Sequence, residues 1–397
     1  NINNTTKVFV ATQTKLYEYV SGSFSDVSVS GDYSSTESDL WEFVLFNDKL
    51  IASNFVDPIQ VKDLSVSDDF ANLGGTPPKA RHIAKIGEFL VTGNISDSTG
   101  DFNNKVRWSG INDLEEWSDI TKQSDFQFFD DTNGGAIKKI IGGATYGYVF
   151  QEDAISRLVY VGGSLIFTRD TLERNRGTRI SNSVLVKGTL IYYIGKDGFY
   201  VFDGTSSTAI GENKIDKFFF NDLDVENQHR ISVGTNEDLI IWSYPSREAI
   251  NGQPNKLIIY NQYTNSWSKA DVDCNTIFNS LSFDTSLEEI DDIDASIDNI
   301  DISLDSSSFV GGNPLFCTFN KDNQLCTFEG SPLIAEFTTS EFQYEAGYFT
   351  KLQKIAPILN GGSCTLEIGT REKLNDDVTF DTTLEQNDLG YFTPLST

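Results

Sequence analysis

The sequence predicts an all-β protein: a β-propeller body of six or seven irregular blades, followed by an additional antiparallel β module. Short apolar, β-branched or aromatic runs are bounded by Gly, Asn, Asp and Ser, and helical periodicity is nearly absent. These runs repeat roughly every 30–45 residues between positions 7 and 335, a spacing that suits four-stranded blades. Several repeats have the order strand, turn, tryptophan, which is typical of aromatic packing between blades. A flat sandwich array is the alternative.

The clearest unit is NKLIIYNQYTNSWSKADV, residues 255–272. A strand with alternating faces enters a turn at residues 261–265, and Trp267 opens the next strand. KVRWSGINDLEEWSDI is interpreted as a second unit that ends on another Trp-Ser pair, and DGFYVFDGTSSTAIG as a third that closes without tryptophan. The propeller body is assigned to residues 1–335.

One segment departs from the strand pattern. Residues 284–305 carry isoleucines at positions 290, 293, 297 and 300, and Ser286 with Glu289 resembles a capping box. This predicts a short amphipathic helix inserted between blades. Its outer face is a candidate contact or channel surface, formed by Glu288, Glu289, Asp291, Asp292, Asp294 and Asp298. A calcium loop is the alternative, but the mid-loop Gly and closing Glu of an EF-hand are missing.

From residue 336 the pattern changes again. Residues 336–397 predict a sandwich-like β appendage with a hairpin turn at Asn360, Gly361 and Gly362, and the module is expected to continue beyond residue 397.

The charge balance limits the partners. The chain has 30 basic and 58 acidic residues, for a net charge of −28. Such a surface repels nucleic acid and anionic membranes, which disfavours sequence-specific DNA binding. No apolar run approaches the ~18 residues of a membrane span.

Few residues are available for catalysis or metal binding. The four cysteines show no metal-like spacing, and the two histidines, His82 and His229, lie far apart in the sequence. Cys317 and Cys326 either face each other across a hairpin or are buried free thiols. No cofactor, metal site or catalytic residue is predicted.

Two groups of residues have alternative interpretations. Trp108 and Trp117 form either a sugar-stacking platform or packing wedges between sheets. SGINDLEEW does not match the Asp-box of sialidase propellers, because its Gly follows Ser directly. A cluster of four arginines either grips a phosphate or forms ion pairs with Asp170 and Glu173, within or between subunits. These candidate subunit-contact residues are Arg169, Arg174, Arg176 and Arg179.

The order of several motifs adds a family resemblance. VRWSGINDLEEWSD, VFQEDAISRLVYVGGSLIF, LERNRGT, GKDGFYVFDG, LIIWSYPS, LIIYNQYTNSWSKADV and GNPLFCTF follow one another along residues 40–370. In this order they resemble the tail hub or nozzle proteins of short-tailed bacteriophages, also called packaged-DNA stabilisation proteins. Arg107, Trp108, Trp117, Trp267 and residues 173–178 are candidate structural landmarks.

The resemblance implies a structural virion protein without enzyme activity. It implies a homo-hexameric ring below the portal and adaptor proteins, at the distal end of a tail that is assembled in the host cytoplasm. The ring would retain packaged DNA, carry tail fibres or a needle, and serve as the ejection conduit. An acidic lining suits a tube through which DNA passes without specific binding, because cation–phosphate contacts dominate affinity for nucleic acid.

Two other functions remain open. One is a carbohydrate-binding propeller at a cell surface that uses Trp108 or Trp117. The other is a sialidase-like hydrolase, which needs a clustered pocket of carboxylates and arginines.

Overall fold

A computed structural model describes residues 6–20, 23–130, 133–282, 312–328, 334–341, 354–358, 364–371, 373, 375–380, 384–385 and 392. The chain forms two compact units, Asn1–Gly330 and Ser331–Thr397. The unit boundary lies close to the predicted change at residue 336.

The first unit is a seven-bladed β-propeller, which confirms the predicted fold class. Each blade is one antiparallel sheet whose strands follow one another in chain order. The strands of the first four blades are β1 (Val8–Ala11), β2 (Leu16–Val20) and β3 (Ser23–Asp26); β4 (Glu42–Phe46), β5 (Lys49–Ser53), β6 (Gln60–Asp63) and β7 (Ala71–Asn72); β8 (Lys79–Ile86), β9 (Phe89–Asp97), β10 (Gly100–Trp108) and β11 (Asp125–Phe128); β12 (Ile137–Ile141), β13 (Tyr146–Gln151), β14 (Ala154–Gly162) and β15 (Ile166–Arg174).

The remaining three blades have the same up-and-down order. Their strands are β16 (Leu185–Lys187), β17 (Leu190–Ile194), β18 (Phe199–Phe202) and β19 (Ser207–Ala209); β20 (Ser232–Asn236), β21 (Leu239–Tyr244), β22 (Lys256–Asn261) and β23 (Ser266–Asp271); β24 (Cys274–Leu281), β25 (Pro314–Asn320) and β26 (Leu325–Thr327). Helix α1 (Asp216–Asp222) lies between the fifth and sixth blades, and short 3-10 turns cover Ile120–Lys122, Ser181–Ser183, Gln228–Arg230 and Ile250–Gly252.

The predicted hairpin at residues 255–272 is present as β22 and β23. Tyr260 lies opposite Trp267 in this hairpin, and the turn covers residues 262–265. The apolar run in β22, in which Leu257, Ile258 and Tyr260 are buried, and the polar turn after it explain why this hairpin is recognisable from the sequence.

The core consists of apolar layers between neighbouring blades. One layer joins blades three and four and includes Trp108 and Phe167, and another joins blades five and six and includes Phe199 and Trp242. Aromatic rings fill these wedge-shaped gaps because each one buries a large area.

The ring closes through side-chain contacts between the first and last blades. Phe24 lies 5.9 Å from Phe319, measured between ring centroids, and the Thr6 hydroxyl donates to the Ser282 carbonyl at 3.2 Å.

The first strand of each blade lies nearest the propeller axis. First strands of neighbouring blades are in contact with one another, as β4 is with β8, β8 with β12, and β20 with β24. The side chains of these strands, and of the segments that lead into them, therefore meet near the axis.

The second unit contains an additional β module. β27 (Thr365–Leu366) pairs with β30 (Leu384–Glu385), and β28 (Gly369–Thr370) pairs with β29 (Thr379–Phe380). The predicted turn at residues 360–362 and the predicted helix at residues 284–305 lie outside the described residues.

Candidate functional site

Both tryptophans of the RWSGINDLEEWSD stretch are buried, with 2% of each side chain exposed. Trp108 packs edge-on against Phe167 of the next blade at 5.0 Å between ring centroids, and its Nε1 donates to the Gln123 carbonyl. The Nε1 of Trp117 donates to the Leu114 carbonyl. These environments leave no ring face for a sugar to stack on.

Trp117 lies in the loop between β10 and β11, and β11 begins only at Asp125. Trp117 therefore differs from Trp267, which lies in a strand. The loop folds back on itself, with the Gly110 N–H donating to the Glu116 carbonyl at 2.7 Å. Arg107 holds this loop by donating from Nη2 to the Trp117 carbonyl.

Trp267 packs between the fifth and sixth blades. Its ring lies 4.9 Å from that of Phe199, and its Nε1 donates to the Ile210 carbonyl at 3.0 Å.

The stretch at residues 173–178 also packs across a blade boundary. A Cβ at Gly177 would come within 2.1 Å of the Gln151 carbonyl oxygen, so only glycine fits there. The buried Thr178 hydroxyl donates to the Ile194 carbonyl of blade five at 2.8 Å.

The four arginines do not form one cluster. Arg169 donates to the Phe128 carbonyl of blade three, and Arg176 donates to the Ser207 carbonyl of blade five, both at 2.8 Å. Arg179 pairs with Asp153 at 3.5 Å, and Arg174 is exposed at the end of β15. Arg169 and Arg176 therefore link neighbouring blades within one chain, and a further role of the four arginines between subunits stays a prediction.

The two predicted acidic partners have other contacts. Asp170 pairs with Arg157 at 3.0 Å, and the Glu173 carboxylate accepts from the Ser207 N–H. The acidic residues at positions 288–298 lie outside the described part of the chain.

The sequence analysis missed a charged cluster near the axis, in which His82 is buried and the Glu42 and Lys139 side chains are 10% and 24% exposed. Glu42 of β4, His82 of β8 and Lys139 of β12 come from three successive blades. Oε1 of Glu42 lies 2.9 Å from the His82 Nδ1 and 2.8 Å from the Lys139 Nζ. Its Oε2 accepts from the Ile83 N–H at 3.2 Å. We call these three side chains the axial cluster.

The protonation states of the axial cluster follow from its packing. Burial alone would raise the pKa of Glu42, but the charges of Lys139 and His82 and their hydrogen bonds outweigh it and lower that pKa to about 2. Burial lowers the pKa of His82, and Glu42 offsets this only in part. At neutral pH Glu42 is therefore a carboxylate and the His82 imidazole is neutral, and the charge of His82 acts on Glu42 only in acid, once the imidazole is protonated.

Two cavities adjoin the axial cluster. One has a volume of about 210 Å³, and the other a volume of about 400 Å³. Glu42 and Asn182 line both, so these side chains stand between them. Glu37, just before the second blade, pairs with Arg230, just before the sixth, at 2.6 Å.

The smaller cavity, which we call the axial cavity, brings together both histidines of the chain. Its lining residues are contributed mainly by the segments before β4, β16 and β20 and are Ser38, Leu40, Glu42, Arg81, His82, Arg179, Ile180, Ser181, Asn182, Glu226, Gln228 and His229. The Nε2 atoms of His82 and His229 are buried and have no hydrogen-bond partner among the described residues.

The sequence gives little indication of the axial cluster. Glu42 and His82 lie 40 positions apart, and Glu42 and Lys139 lie 97 apart. The one available signal was a Glu at the start of the apolar strand EFVLF, where a charged residue needs a partner if it is buried.

The described residues contain neither a candidate metal site nor a membrane-spanning helix. In that part of the chain, His, Cys, Asp and Glu side chains do not gather in groups of three or more that could hold a metal ion. None of the helices described there has the length and apolar character needed to cross a bilayer.

Fold and site together define a β-propeller with a partly buried charged cluster near its axis. No family model and no curated protein matches the chain. Among solved structures, the chain is similar to PorZ, a bacterial surface component of the type-IX secretion system of Porphyromonas gingivalis, with 9% identity and a TM-score of 0.36. The match covers 84% of this chain and 39% of PorZ, so the chain spans well under half of that protein.

The chain is also similar to apo AztD from Citrobacter koseri. This match has 14% identity and a TM-score of 0.32, and it covers 67% of this chain and 72% of AztD.

Proposed function

We propose that this chain is a structural subunit of a viral tail nozzle, in which six copies form a ring that closes the tail tube. In this role the ring retains packaged DNA, conducts it during ejection, and contacts adaptor proteins above and fibres or a needle below. Its location would be the virion tail.

The proposal rests on the positions of the motifs that resemble tail nozzle proteins. Trp108 of RWSGINDLEEWSD, Thr178 of LERNRGT and Trp267 of NSWSKADV each contact a neighbouring blade. The resemblance to tail nozzle proteins thus falls on residues that make the propeller rigid. Rigidity is what a tube wall that resists a packed genome requires.

A patch of exposed apolar residues supports assembly into a ring. Ile120, Val161 and Leu165 are 57%, 53% and 60% exposed, at the ends of the third and fourth blades. The Tyr160 hydroxyl donates to Gln123 Oε1 at 2.7 Å and joins the two parts of the patch. Clustered apolar exposure of this kind marks protein contact sites, and a ring uses one such patch against a different surface of the next copy.

The proposal is tested by the mass and symmetry of the purified full chain, measured by mass photometry and negative-stain class averages, with and without its adaptor protein. The expected result is a six-fold ring with an open passage along the symmetry axis of the ring. Leu165→Asp should abolish the ring and leave a folded monomer, because a charge enters the contact. Ile250→Asp is the matched control, since Ile250 is 80% exposed on another blade.

Two outcomes oppose the proposal. A particle that stays monomeric at high concentration and with the adaptor rejects the nozzle function. A ring that survives Leu165→Asp rejects this patch as the subunit contact.

A further inference from the structure

We propose that the axial cavity is a binding site for a small uncharged molecule rich in hydroxyl groups. The cavity has a volume of about 210 Å³, many times what one water molecule requires. Nothing in the proposed nozzle role depends on this site, so the two proposals stand or fall separately.

The first argument is the state of His82. The Glu42 carboxylate accepts from Nδ1, so Nδ1 carries the ring proton. Burial keeps the ring neutral, and Nε2 therefore presents a lone pair. His82 is 2% exposed and forms part of the cavity wall, and its Nε2 has no partner in the described part of the protein. Nε2 itself has less than 1 Å² of accessible surface, so a ligand hydroxyl reaches it when the neighbouring wall side chains move aside. A buried acceptor without a donor is costly, so that contact gains binding free energy.

The second argument is the charge of the cavity wall. Arg81 is neutralised by Asp39 at 2.8 Å, and Arg179 by Asp153 at 3.5 Å. The same wall carries the carboxylates of Glu42 and Glu226, so its two acidic and two basic side chains balance. Neither an anion nor a cation would meet a surplus of opposite charge. The wall therefore favours an uncharged molecule.

The third argument is the mixture of hydrogen-bonding groups. Ser38 and Ser181 present hydroxyls, and Asn182 and Gln228 present amides, all of which both donate and accept. A ligand hydroxyl does the same, so several hydroxyls on a compact frame can satisfy this wall. Glycerol and monosaccharides have this chemistry.

The test uses the full chain labelled with ¹⁵N at histidine. Because the chain has only two histidines, the spectrum contains two imidazole side chains, and His229→Gln assigns them. Glucose, galactose, N-acetylglucosamine and glycerol are titrated separately. The expected result is a saturable upfield shift of the His82 Nε2 resonance with at least one of these probes, while Nδ1 keeps its proton.

A pair of variants separates specific binding from solvent effects. Gln228→Leu should weaken the affinity about three- to tenfold, the effect of one lost hydrogen bond. Gln13→Leu is the control, because Gln13 is exposed and outside the cavity wall, and it should bind as the unmodified chain does. Neither substitution touches the axial cluster, and thermal unfolding midpoints check that both variants fold.

Three results overturn the proposal. In the first, none of the four probes moves a histidine resonance. In the second, the shift is confined to His229. In the third, Gln228→Leu and Gln13→Leu bind the probe equally well. The first would mean that the cavity takes up none of these molecules, and the other two would mean that binding does not use His82 or Gln228 of the cavity wall.

Discussion

His82 and Glu42 form a buried hydrogen bond, with 2.9 Å between Nδ1 and Oε1, that joins the first strands of the second and third blades. Lys139 from the fourth blade shares the same carboxylate oxygen. Glu42 therefore links three blades near the axis, through polar contacts and not through apolar packing.

Removing the charge of Glu42 should destabilise the propeller. Glu42→Gln leaves Lys139 without its carboxylate; because the Lys139 side chain is 24% exposed, the cost should lie between the ~1 kcal/mol of a surface pair and the ~3 kcal/mol of a fully buried one. Glu88→Gln is the control, because Glu88 is largely exposed and lies 4.0 Å from Lys85. Denaturant unfolding measures both variants. Equal stability of Glu42→Gln and the unmodified chain would contradict a structural role for the cluster.

The stability of the propeller should fall in acid over a defined range. The pKa of Glu42 drops from 4.5 to about 2 on folding, so its contribution is complete above pH 4.5 and is lost as the pH falls toward 2. That contribution is on the order of 3 kcal/mol, at about 1.4 kcal/mol per pKa unit. The contribution of His82 to stability depends on pH in the same direction. Burial lowers its pKa, so protonation is less favourable in the folded state than in the unfolded state, and this contribution begins to be lost below pH 6.5.

This acid dependence is measurable by denaturant unfolding at a series of pH values. The slope between pH 4.5 and 2 should be shallower in Glu42→Gln than in the unmodified chain. Parallel curves would assign the acid sensitivity to other carboxylates.

Trp108→Ala should cost about 3–5 kcal/mol of unfolding free energy, the range for removing a buried large aromatic side chain. Trp108 is 2% exposed, and its ring fills the gap beside Phe167. Ile120→Ala, at a 57% exposed position in the neighbouring loop, should change stability by about 0.5 kcal/mol or less. Calorimetry compares the two. A stable Trp108→Ala variant that loses saccharide binding would restore the sugar-platform hypothesis.

The cysteines should differ in reactivity with iodoacetamide. Cys274 and Cys317 are buried, whereas Cys326 and Cys364 are half-exposed, so the latter pair should be alkylated first. Burial raises the pKa of Cys274 to about 11, which further slows its reaction. Peptide mass spectrometry after timed labelling ranks the four sites. Rapid modification of Cys274 in the folded chain would contradict its position.

Cys317 and Cys326 should not form a disulfide under mild oxidation. In the β25–β26 pairing, Cys317 lies opposite Thr327 and Cys326 lies opposite Thr318. This register places the two thiols on opposite faces of the sheet, and bridging them would require the backbone to move. Non-reducing mass analysis of the oxidised chain checks this. The sequence leaves open whether the two cysteines face each other, and the pairing register decides against it.

What the sequence determined by itself was local. The apolar run and the polar turn residues of NKLIIYNQYTNSWSKADV define a hairpin, because both act over a few residues. Their repetition along the chain predicted a propeller of six or seven blades, and seven are present. The tertiary structure decided the rest. Trp117 lies in a loop because Arg107 and the backbone of residues 110–116 hold it there. Glu42, His82 and Lys139 meet only because closing the ring brings the first strands of separate blades to one axis, a relationship that no spacing in the sequence encodes.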